Sequence, residues 1–134
     1  MLLVVVFVAN TNYRMSASPP ADVVSEDHPD TLKSLYNLAL LFDSKGDYDR
    51  ALPMYEECLA KRKRVLGEDH PDTLSTLNGL AILFRNRRDY DRALPIYEEC
   101  LAKRKRVLGE DHPHTKDTQK WRDICAQKHQ ASRQ

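Results

Sequence analysis

Apolar residues in this chain recur three and four positions apart. From Leu32 to Phe42 they are Leu32, Leu35, Leu38, Ala39 and Phe42; from Leu52 to Leu66 they are Leu52, Tyr55, Cys58, Leu59, Val65 and Leu66. That spacing places one apolar stripe on a helix and leaves its other side polar, so two amphipathic helices are predicted. Between them lies "DSKGDYD", where Gly46 stops the first helix and Asp47 or Asp49 is placed to cap the second. In "GEDHPDT", Gly67 closes the second helix and Asp69 is expected to cap the next. Pro71 suits the first turn of that helix, and Asp72 stands near the positive end of its dipole. The predicted unit is an antiparallel helical hairpin.

The hairpin is written twice. Shifted by 42 residues, Glu26–Gly67 overlies Glu68–Gly109 with only ten differences. Nine of them fall between Lys33 and Gly46 and their counterparts, and the tenth is Met54 against Ile96. A third copy opens as "EDHP" at Glu110 and then drifts, while Val23, Val24 and Ser25 stand where Val65, Leu66 and Gly67 stand later. The organisation expected is an N-terminal segment 1–25 with the remnant of a preceding unit, whole units 26–67 and 68–109, and a partial unit 110–134. A lone hairpin cannot bury its stripe, so the units must stack. The tail carries Trp121, Ile124 and Cys125 on an otherwise polar helix, which is expected to cap the second unit.

Composition narrows the function. Of 134 residues, 21 are Lys or Arg and 20 are Asp or Glu, so no global field draws in nucleic acid or an anionic membrane. Three cysteines, Cys58, Cys100 and Cys125, make an odd count with two at equivalent places, a poor disulfide framework and an argument for a reducing, cytoplasmic setting. The apolar run Leu2–Ala9 is shorter than the roughly 20 residues of a spanning helix. It resembles the core of a signal peptide, but no Lys or Arg precedes it, and secretion is the lesser expectation.

The packing pattern resembles the tetratricopeptide repeats, and within them the longer repeats of kinesin light chains. The large, small and aromatic positions of that family fall on Leu35, Leu38, Ala39 and Phe42 in the first helix and on Ala51, Tyr55 and Cys58 in the second. The next unit repeats them as Leu77, Leu80, Ala81, Phe84, Ala93, Tyr97 and Cys100. Small residues are needed where the helices approach closely, and a larger side chain would overpack by about 1–3 kcal/mol. The light-chain likeness rests on "LGEDHPDTL", "DYDRALP" followed by "YEECL", and the 42-residue period.

The resemblance implies an all-α fold, a right-handed superhelix of antiparallel hairpins. It implies an adaptor that grips an extended, acidic or tryptophan-bearing peptide in a groove lined by the first helix of each unit. The groove positions implied are Lys33, Tyr36, Asn37, Leu40, Asp43 and Ser44, with Ser75, Asn78, Gly79, Ile82, Arg85 and Asn86 in the next unit. An amide such as Asn37 or Asn78 can donate to and accept from a peptide backbone. Most differences between the units fall on this same helix. No heptad segment occurs in these residues, so kinesin heavy chain is not an expected partner. Two alternatives remain: a structural or self-associating fragment of a larger array, and a nucleic-acid or nuclear-import role through the basic runs.

Those runs, Lys61–Arg64 and Lys103–Arg106, step about 100° per residue around a helix and cannot form one face. They suit the negative end of the helix dipole, with Glu57–Lys61 and Glu99–Lys103 as i, i+4 pairs. Arg62 is expected to pack its stem and hold its head in water. The tripeptide "HPD" at His28 and His70 matches the signature of J-domain cochaperones, but its recurrence at each unit junction marks a linker. His112, His114, Cys125 and His129 could be written as a zinc site, yet Cys125 belongs to the apolar stripe and His112 to the linker. No metal, cofactor or catalytic constellation is expected.

Overall fold

A computed structural model describes residues 26–133; the apolar run, the signal-peptide alternative and the remnant at Val23–Ser25 lie outside the described residues. The described chain is five helices: α1 Pro29–Ser44, α2 Tyr48–Leu66, α3 Pro71–Asn86, α4 Tyr90–Leu108 and α5 Pro113–Ser132. Each packs against the next in order, and α1 also meets α3. The fold is therefore an all-α row of hairpins in which α1, α3 and α5 are the first helices of successive units.

The helix starts correct one expectation. His28, His70 and His112 are the N-caps of α1, α3 and α5. Each Nδ1 accepts from the backbone N–H two residues on, at 3.1 Å. The cause lies in the next residue. Proline holds the preceding backbone extended, with ψ between 137° and 140°, which is the geometry a cap requires. Asp69 does not cap; it pairs with Arg106 at 2.6 Å. At the start of α2, Asp47 is the cap residue but makes no side-chain cap bond, whereas Asp89 at the start of α4 accepts from Arg92 N.

Ala39, Ala51, Ala81 and Ala93 are fully buried, and the rings of Tyr55 and Tyr97 are enclosed among them. Leu77, Leu80 and Phe84 are buried as well, while Leu35 and Phe42 are half-buried. Cys58, Cys100 and Cys125 are buried unpaired thiols, and burial pushes all three upward in pKa. Cys58 and Cys100 donate to the carbonyls of Leu32 and Leu74 at 3.5 Å, so the repeat extends to its hydrogen bonds.

Leu38 departs from its expected place. It is 41% exposed and Leu41 is 48% exposed, whereas their counterparts Leu80 and Leu83 are 8% and 0%. The reason is position in the stack. Helix α3 is flanked by α2 and α4, but α1 has only α2 and the edge of α3 among the described residues.

Arg62 departs further. It is buried, and Nη1 donates to Asp72 O at 3.1 Å and Thr76 Oγ1 at 2.8 Å. Arg104 is buried in the same way, donating to His114 O at 3.2 Å and Thr118 Oγ1 at 2.6 Å. The head does not reach water because the next unit's first turn presents it with acceptors. A basic residue read as surface is thus a bolt between units.

Gly79 marks the closest approach. A Cβ there would stand 2.9 Å from Tyr55 Cε1 and 3.4 Å from Tyr36 Cε1. Those rings meet edge to face, with centroids 6.0 Å apart. Alanine is the better helix former by about 1 kcal/mol, but the overpacking is larger. Gly79→Ala is expected to lose about 1–2 kcal/mol in urea unfolding, and a gain in stability would show that the junction between units yields.

Candidate functional site

A step of 42 residues turns the first helices into rows across the stack. Lys33, Ser75 and Asp117 form one; Tyr36, Asn78 and Lys120 the next; then Asn37, Gly79 and Trp121, Leu40, Ile82 and Ile124, and Asp43, Arg85 and Gln127. Between α1 and α3 the surface sinks into a cavity of about 380 Å³ lined by Lys33, Tyr36, Asn37, Arg62, Asp72 and Ser75, with Pro29 and Asp30 at its edge. Lys33 and Asn37 are exposed, and Tyr36 and Ser75 half-buried. The tyrosine hydroxyl donates to Ser75 O at 3.4 Å, and the Arg62 guanidinium lies over the ring, 5.1 Å from its centroid. Burial raises the Tyr36 pKa against the pull of Arg62. The hydroxyl therefore stays protonated and able to donate at neutral pH. The cavity offers a cation, an amide and an aromatic edge, a set suited to an extended polar chain.

Other expected groove residues serve the protein itself. Asp43 is buried; Tyr55 OH donates to its Oδ2 at 3.5 Å, and Asn86 Nδ2 to its Oδ1 at 3.1 Å. Burial first, and the Asp43 charge second, drive the Tyr55 pKa far upward. One unit on, the polarity reverses. Arg85 Nη1 donates to Tyr97 OH at 3.3 Å, and burial pushes that phenol up to about 12 even against the arginine. A difference that reads from sequence as ligand-facing variation, Asp43 against Arg85, thus goes with opposite hydrogen-bonding roles for the equivalent buried tyrosines, Tyr55 as donor and Tyr97 as acceptor. Leu40 and Asn86 are exposed, and Ile82 and Asn78 half-buried. Asn78 Oδ1 is a buried acceptor without a partner among the described residues. Gly79 faces the neighbouring rings and offers a ligand nothing.

The basic runs are largely consumed. Lys61 pairs with Glu57 at 3.0 Å and Glu26 at 3.9 Å, and Lys103 with Glu99 at 2.9 Å. The hydrogen bond that Lys103 donates to Glu99 raises the lysine's pKa. Arg64 meets Asp27, and Arg106 meets Asp69, each at 2.6 Å. Arg62 and Arg104 are buried, and of the remaining basic residues in the runs only Lys63 and Lys105 have no carboxylate within 4.0 Å among the described residues. Of the histidines and cysteine set apart in the tail, His129 stands against Asp91 and Cys125 lies in the core.

Sequence reasoning missed the contact that Trp121 of α5 makes with Arg85 of α3. Trp121 is half-buried, with the Arg85 guanidinium 4.1 Å from its ring centroid and Lys120 Nζ at 5.5 Å. The signal was available: Trp121 lies two periods from Asn37, and Lys120 two from Tyr36.

The tetratricopeptide repeat family model matches residues 21–64 and 44–106. Among solved structures, a putative kinesin light chain with nearly identical TPR-like repeats from Podosopora anserina superposes with a TM-score of 0.74 at 23% identity, over 81% of this chain and 52% of that one. A variant of the same protein gives 0.69 at 22% identity, over 83% and 52%. BtubC (BKLC) from P. vanneervenii gives 0.68 at 25% identity, over 74% and 39%. The chain thus spans about half the length of the first and less of the last. No curated protein matches it. Forty-two-residue hairpins that bury alanine against tyrosine at each junction, and the match of a family model across both whole units, have one reading: this chain belongs to the tetratricopeptide-repeat family, whose repeats serve as protein-interaction scaffolds.

Proposed function

We propose that this chain is an adaptor that holds an extended peptide segment across α1, α3 and α5, on the face where the two whole units differ. One observation carries the reading. Lys33, Tyr36, Asn37 and Ser75, four positions chosen for a groove, line a single cavity of about 380 Å³ between adjacent first helices. Asn37 offers both donor and acceptor to a backbone, and Lys33 offers a charge to an acidic side chain. The three buried thiols fit a reducing, cytoplasmic setting as part of the same reading. The test is a peptide array followed by calorimetry on the strongest binder. The double substitution Lys33→Glu with Asn37→Ala lies on exposed side chains and is expected to weaken binding about tenfold or more, with helix content unchanged. Unchanged affinity would remove this surface from consideration.

A second reading, self-association through the first unit, is favoured by the exposed Leu38, Leu40 and Leu41 on α1. Sedimentation velocity separates the two: a monomer at all concentrations leaves the peptide reading, and a dimer dispersed by Leu41→Glu establishes the other. Nucleic acid is disfavoured by the pairing of the basic runs described above.

A further inference from the structure

Among the described residues, one face of α1 lies open that its counterparts bury. Thr31, Ser34, Leu38 and Leu41 line that face at helical spacings of three and four. Ser34, Leu38 and Leu41 are exposed and Thr31 is half-buried, whereas Thr73, Thr76, Leu80 and Leu83 at the same positions of α3 are all buried. The second helix of the preceding unit covers α3 there. Thr76 Oγ1 accepts from Arg62 Nη1 of α2 at 2.8 Å and meets Cys58 Sγ at 3.9 Å. In α5, Thr115, Thr118 and Cys125 are buried on this same face, and Arg104 of α4 donates to Thr118 Oγ1.

The 42-residue step, taken backwards from α2, falls on residues 6–24. The fully buried Ala51 and Ala93 correspond to Ala9, and the fully buried Tyr55 and Tyr97 correspond to Tyr13. Tyr48 and Leu59 correspond to Val6 and Ala17. Ser16 replaces Cys58 as Ser34 replaces Thr76, so the polar pair at the junction becomes two hydroxyls. The exposed Glu56 corresponds to Arg14, the first charged side chain of the sequence. Pro19 and Pro20 end the helical register at Ser18, because neither has an N–H and each ring clashes with the turn before it.

We propose that residues 6–18 form a helix that lies along the open face of α1 and covers Leu38 and Leu41, as α2 covers Leu80 and Leu83. The occupant is the chain's own beginning because residues 19–28 tether it to α1, and a tethered segment docks at a high effective concentration. Pro20 stands where Arg62 and Arg104 bolt the later junctions, so packing alone holds this one and it opens most readily. The docking goes beyond the peptide-groove reading, and it occupies the surface on which self-association would rely.

Hydrogen exchange on the full chain, resolved by NMR, tests the docking. Protection is expected along residues 6–18 as well as along α1. Tyr13→Ala is expected to lower the protection of α1 about tenfold or more with α5 unchanged, and Tyr13→Phe to preserve it. Arg14→Ala, on the outer side of the same register, is expected to change neither helix. Leu38→Ala is the reciprocal variant: it is expected to lower the protection of residues 6–18, which truncation of a leucine facing water would not do. Protection of α1 unmoved by Tyr13→Ala, or equal losses in Tyr13→Ala and Arg14→Ala, would overturn the proposal. Sedimentation velocity is expected to show a monomer. A dimer dispersed by Tyr13→Ala would put the segment on a second copy, and a mature chain whose mass lacks residues 1–18 would make it a cleaved leader; either result overturns docking within one chain.

Discussion

Tyr97→Ala is expected to lower stability by about 4 kcal/mol. The ring is fully buried in the cluster that joins Leu77, Leu80, Ala81 and Ala93 to Cys125 of α5. Truncation removes the transfer energy of an aromatic side chain and leaves a cavity between two units that cannot both close upon it. A domain of this size has roughly 5–15 kcal/mol in total, so the variant stands near its unfolding midpoint. Tyr97→Phe separates packing from polarity, since it keeps the ring and removes only the acceptor of the Arg85 bond, a loss of about 1 kcal/mol. Urea unfolding with a common slope measures both. Equal losses in the two variants would show that the hydroxyl, not the ring, holds the junction.

Arg104→Ala is expected to cost about 3 kcal/mol and to free α5 first. The buried guanidinium bridges the last turns of α4 to His114 O and Thr118 Oγ1, and bonds to a charged donor are worth about 1.5–3 kcal/mol each. Its Nε has no partner among the described residues, so part of that gain is offset by an unsatisfied buried group. Arg104→Met keeps the stem's volume and removes the buried charge, and is therefore expected to cost less than alanine. Hydrogen exchange along α5 gives the spatial readout. Protection of α5 unchanged in Arg104→Ala would deny the arginine its bridging role.

Much of the fold could be read from spacing. Leu32, Leu35, Ala39 and Phe42 define a helix at any location, because the period of a stripe is a local property. The 42-residue step also brought Tyr36, Asn37 and Ser75 to one place, since neighbouring units superpose their rows. Asp47 does stand at the cap position of α2, but the cap before Pro71 was misread. Asp69 and His70 both stand before Pro71, and only the backbone angle that the proline imposes decides which side chain reaches the free N–H. Arg88 was equally opaque: it occupies the left-handed turn that Gly46 fills in the first unit, with φ of 63° where an L side chain costs about 1–2 kcal/mol.

The amino-acid order alone determined the helices, their pairing into hairpins and the repeat that stacks them, because each follows from contacts within a few turns or from a strict period. Which polar residues stay exposed and which are drawn inside was decided only by the stack. Arg62 and Asp43 were drawn inside because the next unit brings Asp72 O, Thr76 and Asn86 within reach of them. Leu38 is exposed because, among the described residues, α1 lacks the second flanking helix that covers Leu80 of α3. Trp121 and Arg85, 36 residues apart, meet only where α5 is laid against the preceding unit. Burial depends on what lies on the far side of a helix, and that is a property of the assembled units rather than of any one of them.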